Sequence, residues 1–131
     1  MGLSVSLWLE TDKGFRAGSY SGFHLWRKAL ANCVGINLDV MSGFVKPEDV
    51  RGLPWTEKEP FYELLNHSDC DGNLWFDECQ ELLEDFNKYR DDFVSSLSEE
   101  QKNYAYYIEK YDDWHQLIGD CVEQEGIIRF G

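Results

Sequence analysis

Residues 76–95 read FDECQELLEDFNKYRDDFVS. Cys79, Leu82, Leu83, Phe86, Tyr89 and Phe93 recur at steps of three and four. That period predicts a helix with one apolar stripe and an acidic opposite face. Downstream, Ser98 and Gln101 have the spacing of a capping box. They predict the start of a second long helix, with Tyr104, Tyr107, Ile108, Tyr111, Trp114, Ile118, Cys121 and Val122 inward and Gly126 as its end. Helical spacing reads the Tyr104–Tyr107–Tyr111–Trp114 aromatics as core rather than as a stacking platform.

Outward from this pair the pattern changes. Leu3, Val5, Leu7 and Leu9 alternate with Ser4, Ser6, Trp8 and Glu10, the period of a half-buried strand. Residues 11–22 are polar and Gly-rich and read as a loop. A helix is expected over 22–34, capped by Ser21, with Phe23, Trp26, Leu30, Cys33 and Val34 inward and Gly35 after its end. Pro47 and Pro60 suit the first positions of short helices over 47–51 and 60–65. Residues 127–130 can form a terminal strand beside the first. The expected fold is α+β and mostly helical, three or four helices packed on a small pair of terminal strands, in a single domain over 1–131.

The net charge is -13. Residues 1–60 balance seven Lys/Arg against seven Asp/Glu, while residues 61–131 hold five against eighteen. This excess argues against direct nucleic-acid binding and against an anionic membrane surface. It allows a basic protein partner. No apolar run is long enough to span a bilayer and the N-terminus lacks a signal pattern, so a cytoplasmic location is expected. Cys33, Cys70, Cys79 and Cys121 form no CxxC pair and are expected as buried thiols, with Cys33, Cys79 and Cys121 on the apolar sides of predicted helices.

The sharpest motif is HSDCDGNLWFDE, residues 67–78. Against a twelve-residue EF-hand loop, Asp69 and Asp71 fall at positions 3 and 5. Gly72 sits at the turn position 6, Asn73 offers a carbonyl at 7, Leu74 is apolar at 8, and Glu78 is the carboxylate at 12. Position 1 is His67, a poor calcium ligand, and position 9 is Trp75. Two readings stand side by side. In one, Asp69, Asp71, Asn73 and Glu78, with His67 as a possible additional ligand, hold Ca²⁺ or another divalent cation weakly. In the other, an Asx turn caps the next helix with no ion. A transition metal on His67, Cys70 and a carboxylate is a lesser third reading. A second motif, residues 14–24, delivers Arg16, Ser19, Ser21 and His24 to a helix start, where anions bind.

The stretches Ser19-Tyr20-Ser21-Gly22-Phe23 with Arg27, and residues 64–72, LLNHSDCDG, with Glu78, resemble those of a family of small, uncharacterised bacterial and phage proteins. The resemblance covers most of the chain and implies no activity. The loop is also similar to an EF-hand. From size, charge and the lack of an assembled catalytic set, the expected function is an intracellular acidic protein-binding domain, of the kind formed by immunity proteins or phage inhibitors of host factors. The alternatives are a metal-dependent hydrolase acting on a phosphate ester, which needs the two motifs in one cleft, and a weak calcium-binding protein.

Overall fold

The computed structural model describes residues 2–8, 13–35, 60–65, 72–103 and 105–130. The fold is α+β. Four short antiparallel strands, β1 (Gly2–Leu7), β2 (Gly14–Ser19), β3 (Gly72–Leu74) and β4 (Ile128–Phe130), form one sheet in the order β2-β1-β4-β3. The described helices are α1 (Tyr20–Cys33), α2 (Tyr62–Leu65), α3 (Phe76–Ser96), α4 (Glu99–Asn103) and α5 (Ala105–Gln124). The short helix expected over 47–51 lies outside the described residues.

The two terminal strands pair as expected, with Val5 opposite Phe130 and Leu7 opposite Ile128. The segment read as a loop over 11–22 contains a strand instead. Its register with β1 skips Ala17, since Leu3 faces Gly18 and Ser4 faces Arg16. This bulge explains why no clean alternation marks the strand. The Ala17 carbonyl accepts a 2.6 Å hydrogen bond from the Tyr106 hydroxyl, and Gly18 beside it has φ +119. A Cβ on Gly18 would stand 2.6 Å from that hydroxyl oxygen. The strand therefore depends on glycine at a place where composition alone suggests a loop.

One side of the sheet is apolar. Leu3, Val5, Leu7, Ala17, Leu74, Ile128 and Phe130 are buried there under α1 and α5. Helix α3 packs mainly on α5 and α1, so it forms a layer beyond them. Trp114 of α5 joins the layers. Its ring lies 5.1 Å from Phe15, 5.9 Å from Phe23, 6.1 Å from Trp26 and 5.7 Å from Phe130, centre to centre. Trp26 adds a hydrogen bond from its Nε1 to the Tyr107 carbonyl. Most helical stripe positions are buried, Tyr111 and Trp114 among them, while Cys33, Val34, Leu83, Tyr89, Tyr107, Ile108 and Val122 are partly buried and Tyr104 lies outside the described residues.

Several boundaries differ from expectation. Helix α1 begins at Tyr20, and its cap is Ser19 rather than Ser21: the Ser19 Oγ accepts the Gly22 N–H at 3.0 Å. Pro60 does not open a helix. Phe61 follows it with φ 61, and α2 starts only at Tyr62. That left-handed backbone persists because the Phe61 ring is buried against Phe86 and Tyr89 and its N–H is bonded to Asp85. The Ser98–Gln101 box forms with both bonds, at 2.9 and 3.1 Å. It opens α4, and helix is described again from Ala105 as α5; Tyr104 between them lies outside the described residues.

Helix ends show one mismatch of residue and conformation. Gly35, with φ +77, follows α1 as expected. At the end of α5 the left-handed residue is Glu125, φ 53, not Gly126, whose N–H bonds the Cys121 carbonyl at 2.9 Å. A non-glycine residue in that conformation costs about 1 kcal/mol. Urea denaturation should therefore show Glu125→Gly stabilised by about 1 kcal/mol and Gly35→Ala destabilised by a similar amount. Equal midpoints for both variants and the parent would contradict this account.

Candidate functional site

The EF-hand-like segment is bracketed by ordered structure. Helix α2 ends at Leu65, β3 begins at Gly72 and α3 begins at Phe76. Leu74, at loop position 8, is fully buried and pairs with Ile128 of β4. Gly72 has φ 102, the left-handed turn that position 6 demands. His67, Asp69, Cys70 and Asp71 lie outside the described residues. Asn73 sits in β3 opposite Arg129, half-buried. Glu78 reaches back from the first turn of α3, and its Oε1 accepts the Trp75 N–H at 2.9 Å. This is the N3 half of a capping box. One Glu78 oxygen thus serves the helix cap. Among the described residues, no group of three His, Cys, Asp or Glu assembles as a metal site.

The entry side is fixed by two polar contacts. The Arg27 guanidinium of α1, buried and 4.5 Å from the Phe23 ring centre, points Nη1 at the carbonyls of Leu64 and Leu65, at 3.4 and 3.5 Å. These are carbonyls at the end of α2, where a cation is favoured. On α3, Asp85 Oδ2 accepts the Phe61 N–H at 3.0 Å. Burial pushes the Asp85 carboxyl above its ordinary pKa, and the Phe61 hydrogen bond opposes that only in part.

The second motif divides. Ser19 and Ser21 stay together, Oγ to Oγ 3.3 Å, but Ser19 is occupied as the α1 cap. Arg16 pairs with Ser4, and both side chains lie on the side of the sheet opposite α1. His24 is half-buried on α1. The two motifs also stand apart. Strand β2 ends at Ser19 on one edge of the sheet, and β3 with Asn73 is the other edge. Three interstrand spacings, roughly 14 Å, separate them laterally. The described members of the two sets share no cleft.

Charge is partitioned by layer. No Asp or Glu occurs in β1–β4 or α1, which carry Arg16, Arg27, Lys28 and Arg129. Helix α3 carries Asp77, Glu78, Glu81, Glu84, Asp85, Asp91 and Asp92 against Lys88 and Arg90, and α5 carries Glu109, Asp112, Asp113, Asp120 and Glu123 against Lys110. Between these helices runs an open groove of about 370 Å³ lined by Leu83, Asp112, His115, Gln116 and Gly119. Two cross-helix links border it. Arg90 clasps Asp112 with bonds of 2.9 and 3.0 Å, which holds the Asp112 carboxyl below its ordinary pKa. His115 Nε2 lies 2.6 Å from Asn87 Oδ1. The linear sequence conceals this groove. Its one signal is Gly119, a residue without a side chain amid an otherwise bulky helix.

The described cysteines are free thiols. Cys79 and Cys121 are fully buried on α3 and α5. Its hydrogen bond with Cys121, then burial, holds the Cys79 thiol well above its ordinary pKa. Burial raises Cys33 to about 12. The hydrogen bond with Cys79 lowers the Cys121 thiol against the opposing effect of burial, so Cys79 and Cys121 form one buried pair.

Comparison with protein-family models, with curated proteins and with solved structures finds no match to this chain.

Asp85 supplies a pH test of the segment's anchoring. A carboxyl whose pKa is higher in the fold than in the unfolded chain adds stability below the unfolded value and loses it as pH rises through the folded one. Asp85→Asn keeps an acceptor for Phe61 without the buried charge. It should match the parent near pH 4 and equal or exceed it at pH 7. Asp85→Ala strands the Phe61 N–H and should cost about 1–3 kcal/mol at both. Thermal melts across pH 4–8 read these signs.

Proposed function

We propose that the chain is an acidic protein-binding domain of the cytoplasm that docks a basic partner on the outer face of α3 and α5, in the manner of an immunity-type or phage-encoded inhibitor. The observation that carries this reading is the partition of charge by layer, with an excess of carboxylates on α3 and α5 and an open groove between these helices that Asp112 lines. A net acidic face steers an oppositely charged protein and fixes its orientation. A partner Lys or Arg can lay its aliphatic stem over Leu83 and Gly119, with its cation joining the Arg90–Asp112 pair or replacing Arg90 in it. The free thiols accord with a reducing compartment, and no described helix is long and apolar enough to cross a membrane.

The test is cross-linking of the purified chain in a cell extract, with the linked residues mapped. Basic proteins should link to α3 and α5 and release in 1 M salt, where screening shortens to about 3 Å. A variant carrying Glu81→Gln, Glu84→Gln, Asp91→Asn and Asp92→Asn should recover at least about tenfold less. Capture undiminished in that variant, or links confined to the sheet, would refute the reading.

A second reading, weak Ca²⁺ binding by the 67–78 loop, is favoured by Leu74 buried at position 8 and by α3 starting at position 10. Calorimetry on chelator-treated protein should give a Ca²⁺ dissociation constant of about 10⁻⁴–10⁻³ M, abolished by Asp71→Ala, with Mg²⁺ and Zn²⁺ run in parallel. No heat with any of the three removes the ion and leaves the capping turn. The phosphate hydrolase reading is not favoured, because the described members of its two motifs lie on opposite sheet edges.

A further inference from the structure

The outer face of the sheet is open. Alternation turns Ser4, Ser6, Trp8, Arg16 and Arg129 away from the core, and Ser4, Trp8, Arg16 and Arg129 are exposed. Trp8 and Trp75 are 49% and 51% exposed, among the few large apolar side chains in solvent. They belong to one row. The Trp8 N–H bonds the Ile127 carbonyl at 2.9 Å, and Trp75 lies one residue beyond the Leu74–Ile128 pair on the other side. Two interstrand spacings, about 10 Å, therefore separate their backbones. Ile127 lies between them in that row, and Arg129 stands in the next outward row, between Ser6 and Asn73, with its guanidinium carbon 5.3 Å from the centre of the Trp8 ring. That stacking holds the cation on the face while its N–H edge stays available. Arg16 stands on the same face two strands away, across Ser4.

We propose that this face binds single-stranded nucleic acid, its bases stacked on Trp8 and Trp75 and its phosphates over Arg129 and Arg16. Each feature asks for a part of that ligand. Exposed indoles want planar partners, and every base offers a π-face when unpaired. The two cations want anions, and no strand carries a carboxylate. An acidic peptide satisfies the arginines but leaves both indoles without planar partners. A duplex hides its base faces. Asp77 and Glu78 follow Trp75 in the first turn of α3, so the phosphates belong at the Trp8 end of the row.

The net charge of -13 opposes long polyanions, and α5 brings Asp113 and Asp120 to the β2 end of the sheet beside Lys13 and Gly14. Helix α3 lies beyond α1 and α5, on the far side from the exposed strands. Face-to-face layers stand about 10 Å apart, and a helix is about 10 Å thick. The outer carboxylates of α3 are thus more than a Debye length of about 8 Å away. The expected site is short and salt-sensitive, about two phosphates long.

The test is fluorescence anisotropy of a labelled deca-deoxythymidylate titrated with the full chain. Two phosphate contacts to a single strand predict a slope of about -1.4 in log K against log salt. Arg129→Gln and Arg16→Gln should each halve that slope. Trp8→Ala and Trp75→Ala should each weaken binding about tenfold, and Glu84→Gln on the far layer should weaken it not at all. Circular dichroism of each variant checks that it folds. No binding at 1 mM protein, equal binding of a ten-base-pair duplex, or displacement of the probe by deca-glutamate as effectively as by unlabelled strand would each overturn the proposal.

Discussion

The indole of Trp114 is the contact on which the other layers depend. It touches β2 through Phe15, α1 through Phe23 and Trp26, and β4 through Phe130, while its own helix packs on α3. Strands of three to six residues are marginal alone, and a small sheet needs an apolar layer against it. A single large ring meeting two strands and a helix supplies that layer at one point. Its Nε1 is buried with no hydrogen-bond acceptor. Such a group costs about 1–3 kcal/mol. The ring's packing exceeds this, since removing a buried Trp side chain typically costs about 3–5 kcal/mol. Shape, not polar satisfaction, has decided this residue.

From that junction the charge partition follows. Strands and α1 take apolar and small residues to meet Trp114, and their few charges are cationic. Most carboxylates of the described residues fall on helices α3, α4 and α5, with Glu63 on α2 and Glu125 just past α5. In α3 the acids Asp77 and Glu78 lie in the first turn, where the helix dipole favours them. Farther along, Asp91 and Asp92 gain nothing from it. Stability thus does not account for the whole acidic face. A net acidic surface that the fold does not need, despite Lys88, Arg90, Lys102 and Lys110 among its acids, is the physical basis for assigning it to a partner.

The sequence revealed most of what depends on helical period. The stripes Phe23–Trp26–Leu30, Cys79–Leu82–Phe86–Phe93 and Tyr111–Trp114–Ile118–Cys121 are visible as steps of three and four, and the terminal strand alternation is equally plain. What escaped was set by long-range contacts. Strand β2 reads as loop because its bulge at Ala17 breaks the alternation and its glycines meet Tyr106, distant in the chain. Phe61 takes a left-handed backbone because of Asp85 and Phe86, neither adjacent to it. The groove beside Gly119 exists only once α3 lies against α5. For the loop motif, spacing located the strand and helix onset, whereas the Arg27 contact to Leu64 and Leu65 carries no local signal.

That last contact bears on how an ion would act at the 67–78 loop. Its exit is held by the Leu74–Ile128 pair and by the bond from the Trp75 N–H to Glu78. Its approach is held by Arg27 on the α2 carbonyls and by Asp85 on Phe61. Strand β4 thus pairs with β3 at the loop's exit. Both flanks are ordered by contacts to the rest of the core, so ion binding has little folding left to drive. Stabilisation by a ligand follows its concentration relative to its dissociation constant, so a millimolar site contributes about 0.4 kcal/mol at 1 mM ion. Such a loop can report or trim charge beside the acidic helices, and the fold stands whether or not it is filled.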